Sequence, residues 1–350
     1  MPRILIKKKS SPSPKTAEIV GGKLTLRELA EIVGVTKVTI SRALNNPHLV
    51  SPATLQRVQD AVRQTGYIPN LLAGSLASSK SRLIVAVVPA IAGAVFQEMT
   101  GAMTTALHEA GYQLLIGQGG YDESREDALL DAIIGRRPAG IVLTGIAHSA
   151  ASRQRLKASG IPVVETWDIT RSPIDMLVGF SHKKIGAEVA RYLHARGAHR
   201  PALITPDDSR ALARGDAFVA QAKKLIGCAE VPTYRVSSPT TMGHGRRALA
   251  QLLREHPDID SVFCGTDTLA LGVLIEARAV RRKIPAQLKV VGYGDLNFAA
   301  DTDPPLTTVR IDGTGIGRMT AEMLIRRIEG QEVEHSSRDV GFQLMERGSA

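Results

Sequence analysis

Four side chains in one short stretch, Lys37, Val38, Ser41 and Arg42, have the chemistry needed to read the edge of a DNA base pair. Arginine can reach guanine with two N–H groups, lysine and serine can reach phosphate or base edges, and valine can touch a thymine methyl. Their spacing gathers them on one side of a helix whose other side is Ile40, Ala43 and Leu44. A second set suits a small polar ligand: Phe96, Trp167 and Phe180 as apolar platforms, Arg214 as donor to an acid and Asp267 as acceptor of hydroxyls. Catalytic constellations are missing from the sequence. There is no GxSxG, HExxH, P-loop or CxxC pattern, and Gly313 to Gly317 reads GTGIG without the strand and spacing of a dinucleotide loop. His182, His194, His199 and His244 are scattered, as surface or satisfied core histidines are.

The elements that must position the first set are written in caps and stops. Thr25 followed by Glu28 is a capping box, and Leu26, Leu29, Ala30 and Val33 form the apolar stripe of the helix it opens. Gly34 ends that helix, Val35 plugs the gap, and Thr36 caps the helix carrying Lys37 to Leu44, a helix-turn-helix pattern. Ser51-Pro52 opens a third helix that runs through Leu55, Val58, Ala61 and Val62 to Gly66.

Charge is distributed to match. Met1 to Arg82 holds 13 Lys or Arg against four acids, Glu18, Glu28, Glu31 and Asp60, so it carries +9 of the chain's +10. The other 268 residues hold 31 basic and 30 acidic side chains. A basic head on a neutral body implies a polyanionic partner for the head, because clustered cations release counterions from phosphates. Met1 to Lys23, with SSPSP at Ser10 to Pro14, reads by itself as a solvated, disordered tail.

At Tyr67-Ile-Pro-Asn70 the run LTLRELAEIVGVTKVTISRALNN followed by VSPATLQRVQDAVRQTGYIPNLLAGSLASSKS resembles the headpiece and hinge of the lactose-repressor (LacI) family over its full length. The resemblance implies a sequence-specific transcriptional repressor. It adds Thr25, Thr36, Thr39 and Asn45 to the DNA-contacting set, together with Asn70, Ala73 and Leu76 of a hinge. By the same resemblance Asn70 to Ala77 becomes helical only on operator DNA, and Leu76 matches the residue that wedges into a minor-groove step, unstacking bases and bending the duplex. Leu71 departs from the arginine common in that hinge. The implied fold is a small all-α helix-turn-helix headpiece joined to an α/β periplasmic-binding-protein-like bilobed domain with two parallel sheets. Arg214 in RGDAF and Asp267 in CGTDTLALG match family positions that bind effector carboxylates or hydroxyls. The stretch VVETWDITRSPIDMLVGFSHKK, Val163 to Lys184, is similar to the gluconate-responsive branch, which implies gluconate or a related sugar acid as effector.

The residues of the body carry the fold reading independently. Apolar runs at Leu83 to Val88, Gln113 to Ile116, Gly140 to Thr144, Pro162 to Glu165, Pro201 to Thr205, Ser261 to Cys264 and Lys289 to Tyr293 alternate with helical patterns. That is the signature of parallel sheets covered on both faces. Ligands of such sheets bind beyond the C-terminal strand ends, where Phe96, Trp167, Phe180, Arg214 and Asp267 fall. The expected division is a tail over 1–22, a headpiece over 23–69, a hinge over 70–82 and an effector-binding and dimerisation domain over 83–345. By the resemblance its first lobe would take about 83–180 and 310–335 and its second about 181–309 and 336–345, with crossings near Ser181, Arg310 and Ser336.

The expected partners are near-palindromic double-stranded operator DNA, a sugar-acid effector and a second copy of the chain, with a tetramer left open. A cytoplasmic protein without cofactor, metal or membrane partner is expected. The longest apolar runs, such as Leu83 to Ala92, fall short of the roughly 18 residues a membrane span needs. No secretory signal is read at the N-terminus. Cys228 and Cys264 lack metal-ligand spacing and read as buried thiols. The competing classes are a sugar-acid enzyme, opposed by the missing catalytic motifs, and a transport binding protein, opposed by the basic head.

Overall fold

The computed structural model describes residues 24–68, 81–91, 94–120, 123–227 and 229–350. The chain separates into two compact units, 1–80 and 81–350. In the first, α1 (Leu26–Val33), α2 (Lys37–Asn45) and α3 (Pro52–Thr65) form, with a 3₁₀ turn at Pro47–Leu49 that the sequence pattern does not announce. Each helix starts where a side chain can cap it: Thr25, Thr36 and Ser51 accept from the backbone N–H three residues on. The Thr25–Glu28 box closes in both directions, with Glu28 Oε2 accepting from the Thr25 N–H at 2.7 Å. Leu29, Ala30, Val33, Ile40, Ala43, Val58 and Ala61 make the core, and Tyr67 packs into it from beyond α3. The Arg57 guanidinium donates to the Val33 carbonyl, fastening α3 to the end of α1.

The second unit contains two six-stranded sheets. The first is ordered β11-β5-β4-β3-β1-β2, from β1 (Leu83–Val88), β2 (Gln113–Gln118), β3 (Gly140–Thr144), β4 (Val163–Thr166), β5 (Met176–Gly179) and β11 (Ser337–Asp339). The second is ordered β12-β10-β9-β8-β6-β7, from β6 (Pro201–Pro206), β7 (Thr233–Val236), β8 (Ser261–Cys264), β9 (Lys289–Tyr293), β10 (Thr307–Arg310) and β12 (Gln343–Met345). Pairing is parallel throughout except β10 with β12. Strand β1 shows why its sequence is continuously apolar: Ile84 and Ala86 enter one core while Val85 and Val87 enter another on the opposite face.

Helices α4 (Gln97–Glu109) and α11 (Gly313–Ile328) pack together on the first lobe, and α5 (Glu123–Ile134) packs against α6 (Ala150–Ser159). On the second lobe α7 (His182–Ala195) pairs with α8 (Ser209–Ile226), and α9 (Met242–Glu255) with α10 (Asp267–Ala279). The GTGIG run starts α11, where a Cβ on Gly317 would sit 2.3 Å from the Met99 carbonyl oxygen. Those glycines therefore serve helix packing. The chain crosses between lobes after β5, after β10 and between β11 and β12. The third crossing corrects the expected boundary at Ser336: Ser337–Asp339 pairs with β5, so the chain returns to the second lobe only after Asp339. Among the described residues no helix is long and apolar enough to cross a membrane.

Candidate functional site

Between the facing strand ends of the two lobes lies a cavity of about 310 Å³, within the usual range for small-molecule sites. Phe96, Trp167 and Arg214 line it, which gathers three of the five ligand residues expected from sequence. Phe180 and Asp267 stand behind the wall instead. A larger concavity of about 510 Å³ beside Leu203, Thr233 and Arg235 belongs to one lobe alone, at its β7 edge, and lacks the converging donors of the cleft.

Trp167 follows β4 with a φ of +64°, a strained conformation for a bulky residue. Its indole N–H donates to Met99 Sδ at 2.8 Å, and its ring meets Phe96 and Phe180 edge-on, with centroids 5.0 and 5.6 Å away. Phe180 is thus the support for Trp167, fully buried and away from the cavity surface. The Trp167 carbonyl receives a hydrogen bond from His182 Nε2 at 2.9 Å, while His182 Nδ1 accepts from Arg214 Nη1 at 2.9 Å. Arginine can only donate, so the imidazole is assigned as the neutral Nε2–H tautomer. Burial, and then the Arg214 charge, hold its pKa well below the usual histidine value.

Arg214 is 3% exposed. Its Nη2 donates to the Gly265 carbonyl at 2.8 Å, and its guanidinium lies over the Tyr293 ring, 3.7 Å from the centroid. Burial lowers its pKa as well. Burial likewise pushes the Tyr293 phenol up to about 12, against the pull of Arg214. The hydrogen bonds Trp167–His182–Arg214–Gly265 thereby run from the end of β4 in the first lobe to the end of β8 in the second.

Asp267 opens α10, behind the cap Thr266. It is completely buried; Oδ1 accepts from the Thr308 hydroxyl at 2.6 Å and Oδ2 from the Leu296 N–H at 2.7 Å. The carboxyl braces the ends of β9 and β10, and burial raises its pKa to about 6. A ligand hydroxyl could reach it only in exchange for one of these partners.

The cavity wall also holds residues that the sequence reading passed over. Arg210 lies one helical turn before Arg214 on α8, and its guanidinium carbon is 5.7 Å from the centre of the Phe96 ring. Arg210 Nη1 and Arg214 Nε are buried without a hydrogen-bond partner. The i, i+4 spacing of the two arginines and the position of Tyr293 at a strand's C-terminal end were signals available in the sequence. His182 is a satisfied core histidine, as its scatter suggested, but it lines the cavity too. Among the described residues no group of three or more potential metal ligands forms. Cys264 is a buried free thiol; Cys228 lies outside the described residues.

On the headpiece, α2 presents Lys37, Val38 and Arg42 to solvent, with Val38 58% exposed, opposite the buried Ile40 and Ala43. Ser41 is half-buried beside them. The Thr36 and Thr39 hydroxyls hydrogen-bond each other at 2.9 Å, and the Thr25 hydroxyl bonds Glu28 Oε2 at 2.8 Å, so these threonines organise helix starts. Asn45 ends α2, but its side chain, together with Asn70, Ala73 and Leu76, lies outside the described residues.

Comparison with known proteins agrees with both units. Residues 25–70 match "Bacterial regulatory proteins, lacI family", and residues 81–343 match "Periplasmic binding proteins and sugar binding domain of LacI family". The HTH-type transcriptional regulator GntR of Pseudomonas aeruginosa is 37% identical over 333 residues, 94% of this chain and 96% of its own. A LacI-family transcriptional regulator from Silicibacter pomeroyi superimposes with a TM-score of 0.86 at 30% identity, covering 93% of this chain and 99% of that one. The transcription regulator GntR from Chromobacterium violaceum gives a TM-score of 0.73 at 34% identity, over 76% of this chain and 98% of its own. The chain belongs to the LacI family of bacterial regulatory proteins: it is a DNA-binding transcriptional repressor with a sugar-type effector domain, and not an enzyme.

Proposed function

We propose that this repressor binds a near-palindromic operator as a two-fold dimer and that a sugar acid, gluconate or a close relative, controls its affinity from the interlobe cavity. The observation that carries the effector reading is the pair of buried guanidinium nitrogens without partners, Arg210 Nη1 and Arg214 Nε, in a cavity walled by Phe96 and Trp167. An unpartnered buried donor is costly, and an anionic ligand relieves that cost. The resemblance of Val163 to Lys184 to the gluconate-responsive branch supports the same ligand class. Lys37, Val38, Ser41 and Arg42 read the major groove, the other headpiece and hinge residues support or extend that contact, and residues 83–345 sense the ligand. A ligand that touches both lobes alters operator affinity by as much as it favours one lobe arrangement over the other.

Trp167 is the chain's only tryptophan and lines the cavity, so its emission reports occupancy directly. The test titrates purified repressor with gluconate and with glucose, reading Trp167 emission and operator binding on the same preparation. Gluconate is expected to change both at concentrations where glucose changes neither. Equal responses would refute the sugar-acid assignment. Deleting Met1 to Arg82 is expected to abolish operator binding while the emission response persists, and operator affinity retained by that truncation would refute the headpiece assignment.

A further inference from the structure

Two arginines face the cavity, but they are not equally free to hold an acid. Arg214 has already committed one N–H of Nη1 to His182, one N–H of Nη2 to the Gly265 carbonyl and its face to Tyr293, and its Nε is buried without a partner. A carboxylate is held best by two parallel N–H groups at one edge of a guanidinium, and both terminal nitrogens of Arg214 are already tied to protein partners that fix its orientation. Arg210 differs. Its side chain is 13% exposed, its Nη1 is buried without a partner, and Asp208 Oδ1 stands 3.8 Å from its Nε. That distance is too long for a hydrogen bond, so the pairing with Asp208 is loose.

Arg210 also stands where the cleft changes character. It lines both the main cavity and a smaller chamber of about 160 Å³, whose wall includes Glu126, Asp168, Asp208 and the unpartnered Thr144 hydroxyl. Carboxylates and a free hydroxyl suit sugar hydroxyl groups and repel an acid group, so the cleft is polar along its length: Arg214 lines only the main cavity, Glu126 and Asp168 only the small chamber, and Asp208 and Arg210 line both. From these observations we infer that Arg210 is the specificity-determining residue of the site: its free guanidinium edge receives the acid group of a polyhydroxy monocarboxylate, whose hydroxyl chain extends toward the acidic chamber. This rests on the sugar-acid reading above, and goes beyond it by moving the acid contact from Arg214, the family-matched residue, to Arg210.

The experiment compares gluconate with glucitol, which has the same chain length and hydroxyls but no carboxylate. Wild-type repressor, Arg210→Gln and Arg210→Lys are titrated by Trp167 emission, with a melting curve for each. Loss of a charge-assisted contact is expected to weaken gluconate binding to Arg210→Gln by about ten- to a hundredfold. Glucitol binding and the melting temperature should stay near wild type, and Arg210→Lys should recover part of the preference. An unchanged gluconate preference in Arg210→Gln would overturn the assignment and leave the sugar-acid reading standing. Parallel loss of both ligands would make Arg210 a structural residue and also overturn it. A wild-type protein that does not distinguish the two probes would overturn the sugar-acid reading and this assignment together.

Discussion

Replacing Asp267 by asparagine removes a buried charge while keeping a workable hydrogen-bond set. The amide oxygen can accept from the Leu296 N–H, and the amide nitrogen can donate to the Thr308 hydroxyl oxygen, positions now served by Oδ2 and Oδ1. The carboxyl titrates at about 6 in the folded protein, against 3.8 for an ordinary aspartate, and burial is the main cause. A raised folded-state value means that the protonated form favours folding. The contribution is fully present below about pH 4 and is lost as pH rises through about 6, with a total of about 3 kcal/mol. His182 works in the opposite direction: its lowered pKa makes its contribution present above the ordinary histidine value and lost on acidification. The wild-type profile mixes the two, but the difference between Asp267→Asn and wild type cancels His182 and isolates Asp267.

That difference is expected to grow in favour of the variant by about 3 kcal/mol between about pH 4 and about pH 7.5. Any imperfection in the amide's hydrogen bonds adds an offset independent of pH. The assay is urea unfolding across that range at one fixed protein concentration, because any self-association couples to stability. A difference that stays flat with pH would refute the buried-charge argument. By contrast, Asp267→Ala leaves the Leu296 N–H and the Thr308 O–H without an acceptor and should destabilise at every pH.

Arg42→Ala should cost about 1–3 kcal/mol of operator affinity, concentrated at one base pair of each half-site; a loss uniform across sequences in a binding-site scan would instead make Arg42 a phosphate contact. Gly317→Ala drives a methyl group against the backbone carbonyl of Met99. It should destabilise by about 1–3 kcal/mol or more, read as a lower melting temperature. Gly101→Ala, on the α4 that Gly317 packs against, meets nothing within 4 Å and should stabilise slightly. Equal melting temperatures for the two variants would contradict the close helix approach.

The headpiece was legible residue by residue because its signals are local. Thr25, Thr36 and Ser51 bond donors three positions away, and Gly34 and Gly66 end helices by their own left-handed backbone, so a sequence window contains every partner involved. Strands β1, β3, β8 and β9 were legible to the residue because burial on both faces leaves them mostly apolar, with polar residues only at their ends. Strands β7 (TYRV), β10 (TTVR) and β11 (SRD) are more polar, and their strand character comes from neighbours far away in sequence. Ser337–Asp339 owes its place in the first sheet to β5, about 160 residues earlier, which is why the third crossing falls later than the family resemblance implied. The strand-end rule picked out Phe96, Trp167 and Arg214, which line the interlobe cavity, since it rests on a geometric property of all parallel α/β sheets. It could not rank them. Whether a side chain at a strand end faces the cavity or braces its wall depends on which partners claim its polar atoms. Thr308 and Leu296 take both oxygens of Asp267, Trp167 covers Phe180, and His182, Gly265 and Tyr293 engage Arg214. Residue type and spacing determined which groups were available for recognition, and only long-range packing decided which of them kept a free hydrogen-bonding edge.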